Sequence, residues 1–198
     1  MDALPRKYLT EEEYLAIERA AQWKSEYYQG EMFAMAGGSE AHSLIAMNLG
    51  GEIREALRSK PCRVYNSDLR VQVDSVGLYT YPDLSIVSGQ PQFAEEQKDN
   101  LLNPVVIIEI LSPSTEAYGR GKKFDLYQQL RSLKEYILVA QDRVSVISYV
   151  RNDDAETWTM RSYWQLQDVL TIASCNATVP LAEIYRDVPN VESLPLAG

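Results

Sequence analysis

Glu109 has the strongest chemical signal in the sequence, because it interrupts an otherwise apolar segment, residues 105–111. Strand side chains alternate between two faces, and apolar neighbours of this segment lie on both of them. A buried carboxylate needs a cation, a hydrogen-bonding partner or a proton, since burying it unpaired is costly. The alternatives are an internal salt bridge, or a strand end that emerges into water.

Asp83 and Lys123 are the two other residues whose positions suggest chemistry. Asp83 follows a proline at the start of a short apolar strand, residues 84–87, where an ordinary turn aspartate is the alternative. Lys123 lies at helical spacing from Leu126 and Tyr127, on the apolar stripe of a predicted helix. Its amine therefore points towards the sheet, or the side chain snorkels past it.

These three residue types together suit metal-assisted attack on a phosphate. Two strand carboxylates, Asp83 and Glu109, could hold Mg²⁺, a hard cation that prefers oxygen ligands, and Mn²⁺ is a possible substitute. The metal could activate a water and neutralise charge on the phosphate. Lys123 could orient that water or stabilise the same charge.

Peripheral candidates have weaker signals. His42 lies on the inner face of its predicted helix, where it borders the metal site or the substrate phosphate, or is a hydrogen-bonded structural histidine. Glu31 is an outer ligand or a solvated hairpin charge, and Glu26 is a weaker candidate of the same kind. Cations that could attract a phosphate backbone, or simply be surface charge, are Arg70, Arg120 and Lys122.

Composition bounds the class of protein. The 198 residues, 45% hydrophobic and 24% charged, suit a single domain over residues 1–198 whose last dozen residues are expected to be poorly ordered. The chain has one histidine and two distant cysteines, which excludes multi-histidine mechanisms and supports neither a zinc site nor a disulfide framework.

Net charge and hydropathy limit which partners the protein can bind and where in the cell it is expected. The net charge of -9 argues against a tight general nucleic-acid binder, although acidic groups that hold cations contribute to such a charge. No apolar run is long enough for a membrane helix, and the N-terminus lacks the apolar segment of a secretory signal. A cytoplasmic protein with no membrane partner is expected.

Periodicity and turn residues predict a mixed sheet flanked by helices, an α/β fold. The predicted helices cover residues 10–21, 40–58 and 115–130, with one turn at 181–185. The predicted strands cover a hairpin within residues 23–36 and residues 63–73, 82–87, 104–111, 135–140, 144–150, 156–163 and 169–172, the last two as extensions of the sheet. Residues 89–103 are expected to form a polar loop.

Two segments carry a family resemblance. Tyr81-Pro82-Asp83 and residues 106–115 resemble the PD-(D/E)XK nuclease superfamily, and more closely a large bacterial family of restriction-endonuclease-like proteins catalogued under the name Uma. The resemblance covers roughly residues 8–188. Segments that extend it are residues 122–127, residues 132–136, and Gly30-Glu31 followed by His42.

The resemblance implies a restriction-endonuclease-like fold, here with an added N-terminal helix and hairpin. It implies Asp83 and Glu109 as metal ligands, with the main-chain carbonyl of Ile110 as a third. The superfamily pattern has lysine two residues after the second acid, where this chain has Leu111, so the resemblance implies that Lys123 takes over that function. Another departure is Gly119, where similar sequences often have aspartate.

Three functional hypotheses follow. The first is an Mg²⁺-dependent endonuclease that acts on DNA, and a homodimer would suit it because two cuts on a duplex match two-fold symmetry. The second is a nuclease-fold binding or regulatory module that does not cut, which the acidic charge, Leu111 and Gly119 motivate. The third is a structural oligomer in which Glu109 and Lys123 form a buried ion pair.

Overall fold

The computed structural model describes residues 8–94, 96–154, 156–189 and 191, and all structural statements refer to these residues. The helices are α1 Glu11–Ala20, α2 Glu40–Ala56, α3 Glu116–Arg120, α4 Lys122–Tyr127 and α5 Leu181–Ile184. The strands are β1 Ser25–Tyr28, β2 Glu31–Ala34, β3 Cys62–Asn66, β4 Arg70–Val73, β5 Leu78–Thr80, β6 Leu84–Ser88, β7 Asn100–Leu101, β8 Val106–Leu111, β9 Glu135–Ala140, β10 Val146–Arg151, β11 Trp158–Tyr163, β12 Val169–Ile172 and β13 Ala177–Pro180.

A six-stranded mixed sheet of order β11-β10-β9-β8-β6-β3 lies at the centre of the fold. β8 and β9 are parallel, and the other neighbouring strands of this sheet are antiparallel. Every residue of β8 is buried, which explains why its sequence is almost continuously apolar. The mixed sheet with flanking helices confirms the predicted α/β class.

Helix α2 covers one face of this sheet. Its residues Ile45, Leu49 and Ile53 recur at four-residue spacing and are fully buried, in one core with Ile108 and Ile110 of β8. Helix α5 and the β12–β13 hairpin pack into the same core. Because β8 turns these two isoleucines towards α2, its alternate residues must face the opposite layer.

The opposite layer contains helices α3 and α4 and a second sheet of five strands, in the order β2-β1-β5-β4-β7. Ile107 and Leu111 of β8 pack there with Phe124, Tyr127 and Tyr136. Helix α1 covers the second sheet through a smaller cluster of buried side chains that has its own aromatic contacts. The predicted N-terminal hairpin is therefore part of a larger sheet.

Three sheet predictions were wrong in detail. Residues 63–73 form two strands, because a turn at residues 67–69 sends β3 to the central sheet and β4 to the second sheet. The predicted loop at residues 89–103 contains β7, which pairs in parallel with β4. Strand β12 pairs with β13 in a separate two-stranded sheet and does not extend the central one, whereas β11 does.

The predicted helix at residues 115–130 is broken at Gly121, whose φ of -109° and ψ of -105° lie outside the helical region. Two short helices result, and the second ends at Tyr127. The N-terminal capping box at Thr10 and Glu13 is confirmed. None of the described helices is both long and apolar enough to cross a membrane. The prediction for the last dozen residues lies largely outside the described residues.

Candidate active site

Strand pairing brings Asp83 and Glu109 together at one end of the central sheet. β6 and β8 are antiparallel with Leu84 opposite Ile108, so one further step of this register puts Asp83 beside Glu109. The N–H of Ile110 donates to Asp83 Oδ2 at 2.6 Å. Glu109 is 6% exposed, which makes it the buried carboxylate that the apolar run indicated.

Lys123 reaches the same point from helix α4. Its Nζ lies 2.9 Å from Glu109 Oε1 and 3.1 Å from Glu26 Oε1. The side chain is 11% exposed, so the ammonium lies in the interior and does not snorkel to the surface. The break at Gly121 starts a new helix, and this helix turns Lys123 inwards.

Two hydroxyl groups join the carboxylates and the lysine into a closed ring of contacts. The hydroxyl of Tyr127 donates to Glu109 Oε1 at 2.8 Å and lies 3.3 Å from Thr80 Oγ1. Thr80 in turn donates to Glu26 Oε1, and Lys123 closes the ring between Glu26 and Glu109. Each side chain is thus held by two others, which restricts its orientation.

His42 lies beside Asp83, a position that fits both alternatives left open by the sequence, the border of a metal site and a hydrogen-bonded structural histidine. Its Nε2 lies 3.0 Å from Asp83 Oδ1. Ser39 caps α2 by accepting a hydrogen bond from the His42 N–H, so the histidine lies in the first turn, next to Asp83. The hydrogen bond to Asp83 raises the pKa of His42, although burial opposes the shift.

Burial dominates the electrostatics of the site. It raises the pKa of Glu109 to about 7; Lys123 opposes this shift, and the charges of Asp83 and Glu26 add to it. Burial disfavours the charged form of Lys123, but Glu109 and Glu26 outweigh it and raise the lysine pKa. The pKa of Tyr127 is also well above its usual value, chiefly through burial. The cluster thus combines one lysine with three carboxylates, those of Glu109, Glu26 and Asp83.

The donor set suits a hard divalent cation. Tyr127 and Lys123 both bind Oε1 of Glu109, so Oε2 is the oxygen that could bind a metal ion. The carbonyl of a strand residue points to the same side as its N–H, so the Ile110 carbonyl points towards Asp83. Among the described residues, no three His, Cys, Asp or Glu side chains form a ready-made metal cluster. Mg²⁺ commonly keeps several waters and uses one or two carboxylates.

Sequence reasoning ranked Glu31 above Glu26, and the structure places Glu26 in the site. Glu31 begins β2, opposite Tyr28, whereas Glu26 contacts Lys123 directly. The pairing of β1 with β5 carries Glu26 towards Thr80. This is a long-range contact with no local signal in the sequence.

The three cations that the sequence suggested for phosphate binding contact other side chains of the protein. Arg70 is 3% exposed and is held by three side chains, so it is not available to a phosphate. Arg120 pairs with Glu116 at 2.7 Å. Lys122 lies over the ring of Tyr28, with its Nζ 4.9 Å from the ring centroid.

The two departures from the superfamily pattern lie against each other. A Cβ added to Gly119 would come within 2.8 Å of Leu111 Cδ2, so a side chain at position 119 would collide with Leu111. The Gly119 carbonyl also accepts a hydrogen bond from the Tyr136 hydroxyl at 3.0 Å. The leucine and the glycine are therefore mutually compatible, and they fill the space near Glu109 with apolar contacts.

The model of a family described as "Uma2: Putative restriction endonuclease" matches residues 11–180, most of the chain. The chain belongs to the Uma2 family. Two uncharacterized proteins of Synechocystis sp. are similar to it. One is 37% identical over 92% of this chain and 94% of its own length, and the other is 31% identical over 76% and 85%. The predicted resemblance is thereby confirmed.

The fold also matches a crystal structure described as "a putative nuclease belonging to DUF820" from Anabaena variabilis. That structure aligns with a TM-score of 0.71 and 18% identity, over 89% of this chain and 97% of the other. At this identity the match shows the fold alone. Membership of the Uma2 family supports a nuclease, a hydrolase that acts on nucleic acid.

Proposed function

We propose that this Uma2 protein is a metal-dependent endonuclease that hydrolyses phosphodiester bonds in DNA, with Mg²⁺ as its cofactor and Mn²⁺ as a substitute. The observation that carries the proposal is the buried contact between Glu109 and Lys123 beside Asp83. The cluster has three carboxylates and one lysine, so an added cation would offset its excess negative charge. A phosphodiester is a substrate whose reaction needs such a cation.

Asp83, Glu109 and the Ile110 carbonyl would hold the metal. Its contribution when bound is to lower the pKa of a water molecule and to neutralise charge that develops on the phosphate. Both oxygens of Asp83 already accept hydrogen bonds, from His42 and from the Ile110 N–H. A carboxylate oxygen has a second lone pair, so these bonds orient Asp83 without blocking it.

Lys123 would act as a fixed positive charge. Its raised pKa keeps the amine protonated, which suits a hydrogen-bond donor to the water or the phosphate and does not suit a general base. Glu26 and Tyr127 hold the lysine and Glu109 in place, so they are positioning residues. Donors fixed in advance in a buried site cost little reorganisation when charge develops.

Replacement of Glu109 tests the chemistry. Glu109→Gln keeps the shape of the side chain but removes its charge, so we expect DNA cleavage with Mg²⁺ to fall by about a thousandfold or more. Glu156→Gln is the matched control, because it makes the same change at an exposed position in the turn between β10 and β11 and should keep most of the activity. A folded Glu109→Gln protein that still cleaves at the wild-type rate would overturn the mechanism.

Metal binding is tested separately from cleavage. Calorimetric titration of Mg²⁺ and Mn²⁺ should give binding to the wild type and little or none to Asp83→Asn. The titration is repeated with an uncleavable oligonucleotide, because substrate phosphate commonly completes an Mg²⁺ site. If the wild type binds neither Mg²⁺ nor Mn²⁺, with or without the oligonucleotide, the assignment of a metal site at Asp83 is contradicted.

The second candidate function is a nuclease-fold binding module that does not cut. The contact of Leu111 with Gly119 favours it, because apolar packing occupies the position where the superfamily pattern has lysine. This candidate predicts that DNA survives prolonged incubation with either metal while it still binds the protein. Metal-dependent cleavage by the pure protein, lost in Glu109→Gln, would exclude it.

A homodimer is part of the proposal for the cutting enzyme. Cleavage of both strands of a duplex suits two sites related by two-fold symmetry. Light scattering should then give twice the mass of the 22.4 kDa chain, at least in the presence of DNA. A monomer that makes double-strand breaks with kinetics first order in protein would argue against it.

A further inference from the structure

A groove of about 700 Å³ lies away from the candidate active site, between the C-terminal half of α2 and strand β3. β3 is one of the two edge strands of the central sheet. The groove is open at Gly51, where an added Cβ would meet no atom within 4 Å. The cations that line it are Arg54, Arg58, Lys60 and Arg63.

The groove is locally basic in an acidic protein. Ten consecutive residues, 54–63, contain four of the 19 lysines and arginines, and one acid, Glu55. Glu55 pairs with Arg58, which leaves an excess of three positive charges against a net charge of -9 for the whole chain. A cation in the last turn of a helix is common, but Lys60 and Arg63 lie beyond α2.

Main-chain carbonyls hold two of these cations without neutralising them. Arg63 Nη1 donates to the Gly89 carbonyl at 2.8 Å, and Lys60 Nζ donates to the carbonyl of Asn176. A guanidinium has five N–H donors and an ammonium three, so each keeps donors for a ligand. The positive charge is therefore held at the groove and remains available to an anion.

The groove lies at the end of the β3–β6 strand pair that is far from Asp83, and on the α2 face of the sheet, whereas Glu109 and Lys123 lie on the opposite face. β3 and β6 are antiparallel, with Asn66 opposite Leu84 beside Asp83, and Cys62 opposite Ser88. A strand rises about 3.3 Å per residue, so the register of Cys62 lies about 13 Å along the sheet from that of Asn66. One strand of duplex DNA covers this distance in about four nucleotides, at about 3.4 Å each.

We propose that this groove binds the phosphodiester backbone of a nucleic-acid duplex outside the bond that is cut, and so positions the duplex on the protein. The inference rests on the proposed function, because it names where the substrate docks. Charge complementarity supports this proposal, because the local excess of arginine and lysine would attract the negatively charged phosphates of the backbone. Contacts of this kind carry affinity but no sequence specificity.

Removal of two groove charges tests the surface. Arg54→Gln with Arg63→Gln should weaken binding of a labelled DNA duplex, measured by fluorescence anisotropy without divalent metal. Each lost phosphate contact should reduce the slope of log K against log salt by about 0.9, so the double variant should lose about 1.8. The matched control is Arg131→Gln with Arg161→Gln, which changes the net charge equally at exposed positions outside the groove.

Addition of a charge tests the groove without removing any contact. Gly51→Glu puts a carboxylate into open space, and we expect it to reduce duplex affinity about tenfold at low salt. Gly51→Gln is the control of equal size and should bind like the wild type. If both variants bind as weakly as each other, bulk rather than charge is responsible, and the proposed phosphate contact is overturned.

The outcomes separate this inference from the proposed chemistry. Loss of cleavage in Glu109→Gln with unchanged duplex binding leaves the groove assignment intact. Unchanged affinity and salt slope in the Arg54→Gln, Arg63→Gln protein overturn it, even if the enzyme cleaves DNA. A loss of the same size in the Arg131→Gln, Arg161→Gln control also overturns it, because net charge would then explain the effect.

Discussion

Two regions of this molecule bury a cation, and they balance its charge differently. Arg70 in β4 donates to Asn100 Oδ1 at 2.6 Å, to the Tyr81 hydroxyl at 3.2 Å and to Asp99 Oδ2 at 2.8 Å. Lys123 in α4 contacts the carboxylates of Glu109 and Glu26 at 2.9 and 3.1 Å. One cation thus meets mostly neutral acceptors, and the other meets two acids.

The Arg70 region is complete within the protein. Arg19 also binds Asp99, while Glu18 accepts hydrogen bonds from Ser25 and from the Tyr81 hydroxyl. Two arginines and two acids therefore balance. The Lys123 region has a third carboxylate close by, that of Asp83, which adds to the upward shift of the Glu109 pKa.

Under the proposed function, this difference distinguishes a buried pair that stabilises the fold from one that would hold a ligand. A balanced, hydrogen-bonded network needs no further charge, and removal of one member leaves another uncompensated. An excess of carboxylates costs stability in the free protein, and an added cation relieves that cost. We therefore expect the two regions to respond in opposite ways to mutation.

The largest expected effect is on the Arg70 region. Arg70→Met should lower the free energy of unfolding by about 3 kcal/mol, because it leaves the buried Asn100 Oδ1 and the Tyr81 hydroxyl without their donor, while Asp99 keeps only Arg19. Glu109→Gln should leave the free energy of unfolding unchanged or raise it, since burial already disfavours that carboxylate. Equilibrium urea unfolding measures both. Equal losses in the two variants would identify Glu109 and Lys123 as a structural pair and remove the contrast.

A smaller effect is expected when the cation of the candidate active site is removed. Lys123→Met should cost about 2 kcal/mol, because Glu109 and Glu26 then face each other without a positive charge. Adding Glu26→Gln should recover part of that loss, and adding Mg²⁺ should raise the melting temperature of the single variant. If Lys123→Met is neutral, and remains so with Glu26→Gln, the lysine does not hold the carboxylates together.

The smallest expected effect concerns the packing beside the site. Gly119→Ala should cost about 1 kcal/mol net, because overpacking against Leu111 outweighs the better helix propensity of alanine. Leu111→Val removes the atom that would be struck, so the double variant should be more stable than the sum of the two single changes. A double-mutant cycle of unfolding free energies measures this coupling, and strict additivity would show that the two residues do not constrain each other.

The predictions that relied on local patterns named residues that the fold brings together in the candidate site. An acid inside an apolar strand indicated Glu109, and helical spacing distinguished Lys123 from Lys122. His42 followed in the same way from its place on the inner face of α2, next to Asp83. These signals are local because burial acts on each helix or strand separately, through its own period of side chains.

Other features had no such local signal. Strand β5 has three residues and β7 has two, so neither has enough alternation to be recognised in the sequence. The break of the predicted helix at Gly121 depends on a backbone conformation that a single glycine permits without requiring. The sequence therefore predicted one sheet and an N-terminal hairpin, where the described residues form two large sheets and a two-stranded ribbon.

The sequence by itself determined which charged residues lie at positions normally occupied by apolar core residues. These are Glu109 in a buried strand and Lys123 on an apolar helix face. Only the tertiary structure decided that Glu26 and Tyr127 complete that site, that Arg70 is a buried structural cation, and that four cations near β3 share a groove. These facts depend on pairings between strands and helices far apart in the chain. Such contacts form because the whole core is buried at once, and no short segment encodes them.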